Sequence, residues 1–479
     1  MDRYRMLPSY RFYDVEGTPS LTLDKSVGKS LRDYKIYGNS VQEGTPTPEN
    51  PIEIQSCGDK SKNLVDMSKV INGYLNQTGA IITPNQEYRV TDFIDVSNMS
   101  HITINAAKSY AFYDENKTFI SGEVKSLTIF RSYAVPANAK YIRFDWQTEK
   151  VNGDIVYAFA GSYTEDTFPP YEPYGYKIPI EVGGKNLFDI DAFLALPNAS
   201  KYYKKDEDNN LVQVIQDFRQ YKVVPVYMEL PPGTYTVSLT GATNDLWLVC
   251  VNDVVVTDTF TLTETSPVKI KSFYQAGTVV GKFQLEKGGT ATPYEPYRKE
   301  VTNIYLDEPL YKIGGSADYI DFKNGKVVRK NKKIALQINK DMVHYRDRGS
   351  VVTYRTDSSI SLYLDNYKKS DTYNIPNMCN KFKFMSGASL THATDEHGEW
   401  LACAYGTVYV TIRKDRLSEV TNSSVTEYVN NLNAELIYAL DVPIEQPIDL
   451  PPILTHKGTN IISVGAEIPP SNMQIQYYK

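Results

Sequence analysis

The chain has 479 residues, too many for one hydrophobic core, which implies roughly three or four domains. Its 41% apolar and 23% charged residues exclude a disordered chain, and no apolar run approaches the ~20 residues that cross a bilayer as a helix. A net charge of −6 without a Lys/Arg-rich stripe argues against nucleic acid as a partner, because duplex binding depends on neutralising phosphates.

From the start, Met1-Asp2-Arg3-Tyr4 opens no apolar h-region. The expectation is synthesis in a cytoplasm without a signal peptide, and 1–61 reads as an N-terminal attachment segment. Beyond it, two phrases recur. Lys62-Asn63-Leu64 returns as Lys185-Asn186-Leu187, and Pro170-Tyr171-Glu172-Pro173-Tyr174 returns as Pro293-Tyr294-Glu295-Pro296-Tyr297, both at an interval of 123 residues. Two coincidences at one interval mark a duplicated domain, 62–184 and 185–307, because the period is far too long for a solenoid rung. Each proline fixes its own φ and biases the preceding residue towards extended geometry. The five-residue phrase therefore reads as a stiff linker whose tyrosines pack on the sandwich just completed.

Inside the repeats, 101–105, 139–144, 233–239, 249–256 and 268–272 alternate polar and apolar residues as half-buried strands do. Turn-formers separate them at 114–116, 136–138, 231–233 and 244–245. Short strands with regular breakers predict an all-β chain of tandem antiparallel β-sandwich domains, jelly-roll-like in connection. The divergent module 308–447 keeps this texture, with a hairpin predicted around Asn324-Gly325, a strand over 408–412 and one helix over 424–432 capped by Ser424 with Glu427 at its third position. The tail 448–479 reads as extended strands. Cys57, Cys250, Cys379 and Cys403 are too scattered for a zinc knuckle or a disulfide framework and read as reduced, mostly buried thiols.

Few residues announce chemistry. His392 and His397 lie five apart in a turn-like segment, which is neither a metalloprotease helix nor a set of four converging ligands. Asp206-Glu207-Asp208-Asn209-Asn210 offers hard oxygens of the kind calcium takes but lacks a calcium-loop spacing, so a solvated turn and no cofactor are expected. Carboxylate pairs for glycoside cleavage meet in space and leave no spacing along a chain. Sugar binding instead needs flat aromatic faces beside polar groups, and the 38 tyrosines supply candidates. Tyr110, Tyr113 and Asp114 flank a turn of the first repeat, while Tyr202, Tyr203 and Asp206 precede the strands of the second. His397, Trp400 and Tyr405 fall in the third region, which is preferred because it departs from the repeat.

Several phrases resemble tail proteins of phages and prophages of Gram-positive bacteria. They are Lys35-Ile36-Tyr37-Gly38-Asn39-Ser40-Val41-Gln42 with Gly44-Thr45-Pro46-Thr47-Pro48, the Lys-Asn-Leu and Tyr-Glu-Pro-Tyr junctions, 319–326, and the closing 472–478. The resemblance is scattered over most of the chain and is structural rather than catalytic. It implies a virion component of the tail tip, baseplate or tail fibre. Its expected partners are other tail and baseplate proteins, a bacterial cell-surface glycan and further copies of itself, a trimer being favoured, with no nucleic acid and no membrane insertion. A purely architectural protein and a glycan-degrading tailspike are the alternatives.

Overall fold

The computed structural model describes residues 35–479 except 152–154, 198, 209, 214–226, 241–247, 252–253, 257, 272–278, 357–363, 365, 368–376, 385–397, 405–406, 452–458, 465–472 and 479, together with strands Phe12–Tyr13 and Pro19–Leu21. The fold is all-β. Among the described residues the strand pairs are antiparallel except Lys383–Phe384 with Trp400–Ala404, and the α-helices are the short Ile190–Leu194, Ala199–Tyr202 and Asn422–Asn431. Two compact units divide the chain: Gly58–Lys177 with Tyr305–Pro309, and Met1–Cys57 with Ile178–Ile304 and Leu310–Lys479.

The spine of the smaller unit is the 13-residue strand His101–Tyr113. Along one side it pairs with Phe119–Ala134, and along the other first with Ala158–Ala160 and then with Tyr141–Gln147. A register shift between Ala107 and Ser109 bends it, so a single strand serves both neighbours. One face carries the core of Ile102, Ile104, Ile142, Phe144 and Trp146. On the other face Asp145 is fully buried, and its two oxygens accept the Leu75 amide at 2.6 Å and the Ser109 amide at 3.0 Å. Burial pushes the Asp145 carboxyl above its usual range against the pull of those amides.

In the larger unit the second repeat is a two-layer sandwich. Strands Tyr203–Lys205, Leu211–Gln213, Val279–Lys287, Gly233–Thr240 and Thr259–Leu262 form one sheet, and Met228–Leu230, Ser266–Lys271, Leu248–Val251 and Val254–Val256 the other. The chain crosses between layers at nearly every connection, as a jelly roll does, and Tyr235, Phe283 and Leu285 meet Leu230, Val251 and Val268 in the core between them. The helix Ile190–Leu194, not foreseen in the sequence, is capped by Asp189, whose Oδ1 accepts from the Asp191 and Ala192 amides.

Both copies are closed by the same device. The Asn63 side chain donates to the Glu172 carbonyl at 3.0 Å and accepts the Val65 and Ala158 amides at 3.0 and 3.3 Å. Asn186 donates to the Glu295 carbonyl at 3.1 Å and accepts the Phe188 and Leu285 amides at 3.0 and 3.2 Å. The Ser61 amide bonds the Gly175 carbonyl in one copy, as Gly184 bonds Arg298 in the other. The proline–tyrosine phrase is thus more than a linker: it returns to the opening phrase of its own module and clasps it. Its tyrosine does pack on the completed module, Tyr171 lying 5.4 Å from Tyr157.

The third module is a second sandwich. Lys35–Tyr37, Tyr319–Asp321, Lys326–Ala335, Glu435–Pro447 and Asn377–Cys379 face Val343–Arg348, Val351–Arg355, Thr407–Arg413, Trp400–Ala404 and Lys383–Phe384 across a core that includes Val352, Tyr354, Val410, Leu436 and Tyr438. The expected Asn-Gly hairpin is present, with Gly325 at φ 58° and Asp321 accepting the Asn324 amide. Residues 35–57 correct the reading of 1–61 as a separate attachment segment. Ile36 pairs with Ile320, the Ile52 amide bonds the Asn380 carbonyl, and Ile54 packs on Tyr311, Ile313 and Ile437. The helix begins earlier than expected. Thr421 caps it by accepting the Ser424 amide at 3.2 Å, which sets Val425 and Val429 one turn apart on the core. In the tail, Thr459–Val464 pairs with Met473–Tyr478 and, through Val464, with Ile180. Cys57, Cys379 and Cys403 are buried free thiols, and the Cys250 side chain lies outside the described residues.

Candidate functional site

The predicted tyrosine sets mostly serve packing. Tyr113 is buried, donates to the Gly79 carbonyl at 2.5 Å and meets Phe93 edge-on, so its face is not open to a sugar. Tyr110 stands half-buried with its ring 4.2 Å from that of Tyr133, and Asp114 caps the following turn by accepting the Asn116 and Thr118 amides. Tyr203 is buried against Phe193, and Tyr202 ends the helix Ala199–Tyr202 beside the same core. Asp206 closes a turn, as expected, by accepting the Asp208 and Asn210 amides. The Asn210 side chain, bonded at 3.0 Å, holds the Asp206 carboxyl below its usual range.

In the third region His397 and Tyr405 lie outside the described residues. Trp400 is 0% exposed, and its indole N–H has no hydrogen-bond partner among the described residues. It is a buried side chain and offers no stacking platform, a correction to its expected role. Beside it, burial pushes the Glu399 carboxyl up, opposed by the Arg413 amide at 3.1 Å and the Arg416 guanidinium at 3.9 Å.

On the face of the module's second sheet turned away from its core, Thr353, Thr411 and Trp400 are buried and one corner is exposed. Strand alternation sends Tyr354, Val408 and Val410 into the core, so Arg355, Tyr409 and Thr411 point the other way. Arg355 is directly opposite Tyr409 across the ladder. A register shift between His344 and Arg346 places the intervening Tyr345 beside them. Its ring centroid lies 5.2 Å from that of Tyr409 at an interplanar angle of 78°, and the Arg355 guanidinium lies 5.8 Å from the Tyr345 centroid. Tyr345 is 39% exposed and Arg355 is exposed, with Tyr409 half-buried beneath them. Behind this group, Thr353 and Thr411 hydroxyls meet at 2.8 Å in the next row, which holds it on a fixed ladder. Two edge-on tyrosines and a guanidinium on a rigid sheet can stack on the C–H face of a sugar and donate to its oxygens.

This trio was missed from the sequence, although 408–412 was read as a strand. Alternation along it already puts Tyr409 opposite in sense to Val408 and Val410. The bulge that brings Tyr345 across has no sequence signal.

No protein-family model, no curated protein and no solved structure matches this chain.

Proposed function

We propose that the chain is a structural protein of a phage or prophage tail, at its tip, baseplate or fibre, whose third module attaches the particle to a glycan on the bacterial surface. The observation that carries this reading is the pair of β modules closed by one repeated asparagine clasp. Self-locked modules strung on one chain suit a particle component that must keep its domains folded under load. The Tyr345–Tyr409–Arg355 face supports the adhesive half, since it is an exposed aromatic and donor surface on a sheet. Attachment would be non-covalent. Single sites of this kind bind weakly, and a trimer would gain avidity of roughly 10²–10⁴.

Immunogold labelling of virions with antibodies to the chain, combined with binding of the purified full-length protein to host cells and a glycan array, tests the proposal. Labelled tails and retained cells are expected. Unlabelled virions would overturn the virion role, and a full oligomer that retains no cells would remove the receptor half. A purely architectural protein is the second reading, favoured by how many tyrosines are spent on packing, such as Tyr110 with Tyr133 and Tyr157 with Phe168. It predicts residues 308–479 covered by another virion protein. A glycan-degrading tailspike predicts shortened chains after incubation with host polysaccharide.

A further inference from the structure

Arg355 carries a charge that no carboxylate among the described residues balances. Several other described arginines pair with acids, among them Arg329 with Asp318, Arg413 with Asp415, Arg416 with Glu49 and Arg143 with Asp92, while Arg89 donates to the Gln86 and Tyr88 carbonyls. Arg355 has no carboxylate partner among the described residues, and its sole contact of this kind is the Tyr345 ring. On the same hairpin Asp347 is already engaged, by Lys414 at 3.0 Å and by His344 at 3.0 Å. A guanidinium resting on an aromatic face loses little further side-chain entropy on binding and keeps its planar fork of N–H donors free.

That fork matches the paired oxygens of a carboxylate or phosphate. A neutral sugar covering the tyrosines would instead strip water from Arg355 and leave its charge unpaired, which disfavours such a ligand. We infer that the surface formed by Tyr345, Tyr409 and Arg355 selects acidic saccharides, with a sugar ring packed on the tyrosines and its carboxylate or phosphate held by Arg355. The inference rests on the glycan reading above and narrows it to a chemical class.

The test titrates the full-length chain with sodium alginate as a polyuronate, polyglycerol phosphate as a phosphate-bearing polyol, dextran as a neutral glucan and poly-glutamate as an acidic peptide. Alginate or polyglycerol phosphate should bind at least about tenfold more tightly than dextran and poly-glutamate, and more weakly as salt is raised. The preferred one of the two identifies the acid. Arg355→Gln should weaken that binding by roughly 10- to 100-fold, and Arg355→Lys should restore only part of it. Because Arg355 is exposed, neither change should move the melting temperature. Acidic-glycan binding untouched by Arg355→Gln, or dextran or poly-glutamate bound equally well, overturns the inference. Dextran binding lost in Tyr345→Ala but kept in Arg355→Gln does so while leaving the glycan reading standing. Failure of every polysaccharide to bind removes both.

Discussion

The two repeats use one lock with different backing. In the first copy the residue before the clasped Ala158 is Tyr157, which stacks on Phe168 at 5.2 Å and 14° and meets Tyr171 edge-on. In the second, the residue before Leu285 is the fully buried Gln284. Its amide donates to Glu286 at 2.8 Å and to the Thr292 carbonyl at 3.1 Å, and its carbonyl accepts the Glu295 amide at 2.8 Å. Glu286 also takes the Thr292 amide and hydroxyl, and Lys185 reaches Thr292 at 2.6 Å and Glu295 at 3.4 Å. The asparagine bonds survive this exchange of rings for a polar network. The reason is that a buried amide must find donors and acceptors, whereas the space around it only has to be filled or satisfied.

The sharpest way to break the parallel is at the homologous pair Gly175 and Arg298. Gly175 sits at φ +121°, and a Cβ there would lie 2.4 Å from the Leu306 carbonyl oxygen. Gly175→Ala should cost about 3 kcal/mol or more, read as lost hydrogen-exchange protection across 58–177, while Arg298→Gly should cost under about 1 kcal/mol in its own module. Next come the asparagines. Asn186 has an additional bond, to the Phe283 carbonyl at 3.1 Å, so Asn186→Ala should cost about 3 kcal/mol and Asn63→Ala about 2 kcal/mol, measured by urea unfolding. Smaller still, Gln284→Leu should cost about 2 kcal/mol by stranding the Glu295 amide, against about 1 kcal/mol for Tyr157→Leu.

The smallest effect is a pH dependence confined to the first clasp. Burial works against ionisation of Glu172, yet bonds from Lys177 at 2.8 Å and from the Lys62 amide hold its carboxyl below the ordinary 4.5. A depressed carboxylate adds stability above its unfolded pKa and loses it as pH falls through the folded value. Protection of 58–177 should therefore decline as the pH is lowered below 4.5, and Glu172→Gln should flatten that decline. A decline left unchanged by Glu172→Gln would assign the acid sensitivity to another group.

Local chemistry was legible without coordinates. Alternating side chains marked the strands, turn-formers marked their ends, and two phrases at one interval marked the duplication, because each depends only on neighbours in the chain. Roles that depend on distant partners were not. Asn63 and Asn186 find their carbonyls 109 residues away. Residues 35–57 complete a sheet with strands from 319 onwards. Trp400 looked like a platform, but burial in the fold puts it out of reach, while a bulge after His344 brings Tyr345 to Tyr409. The amino-acid order determined what each segment could become; long-range pairing and burial decided which side chains were spent on holding the modules shut and which were left facing outward.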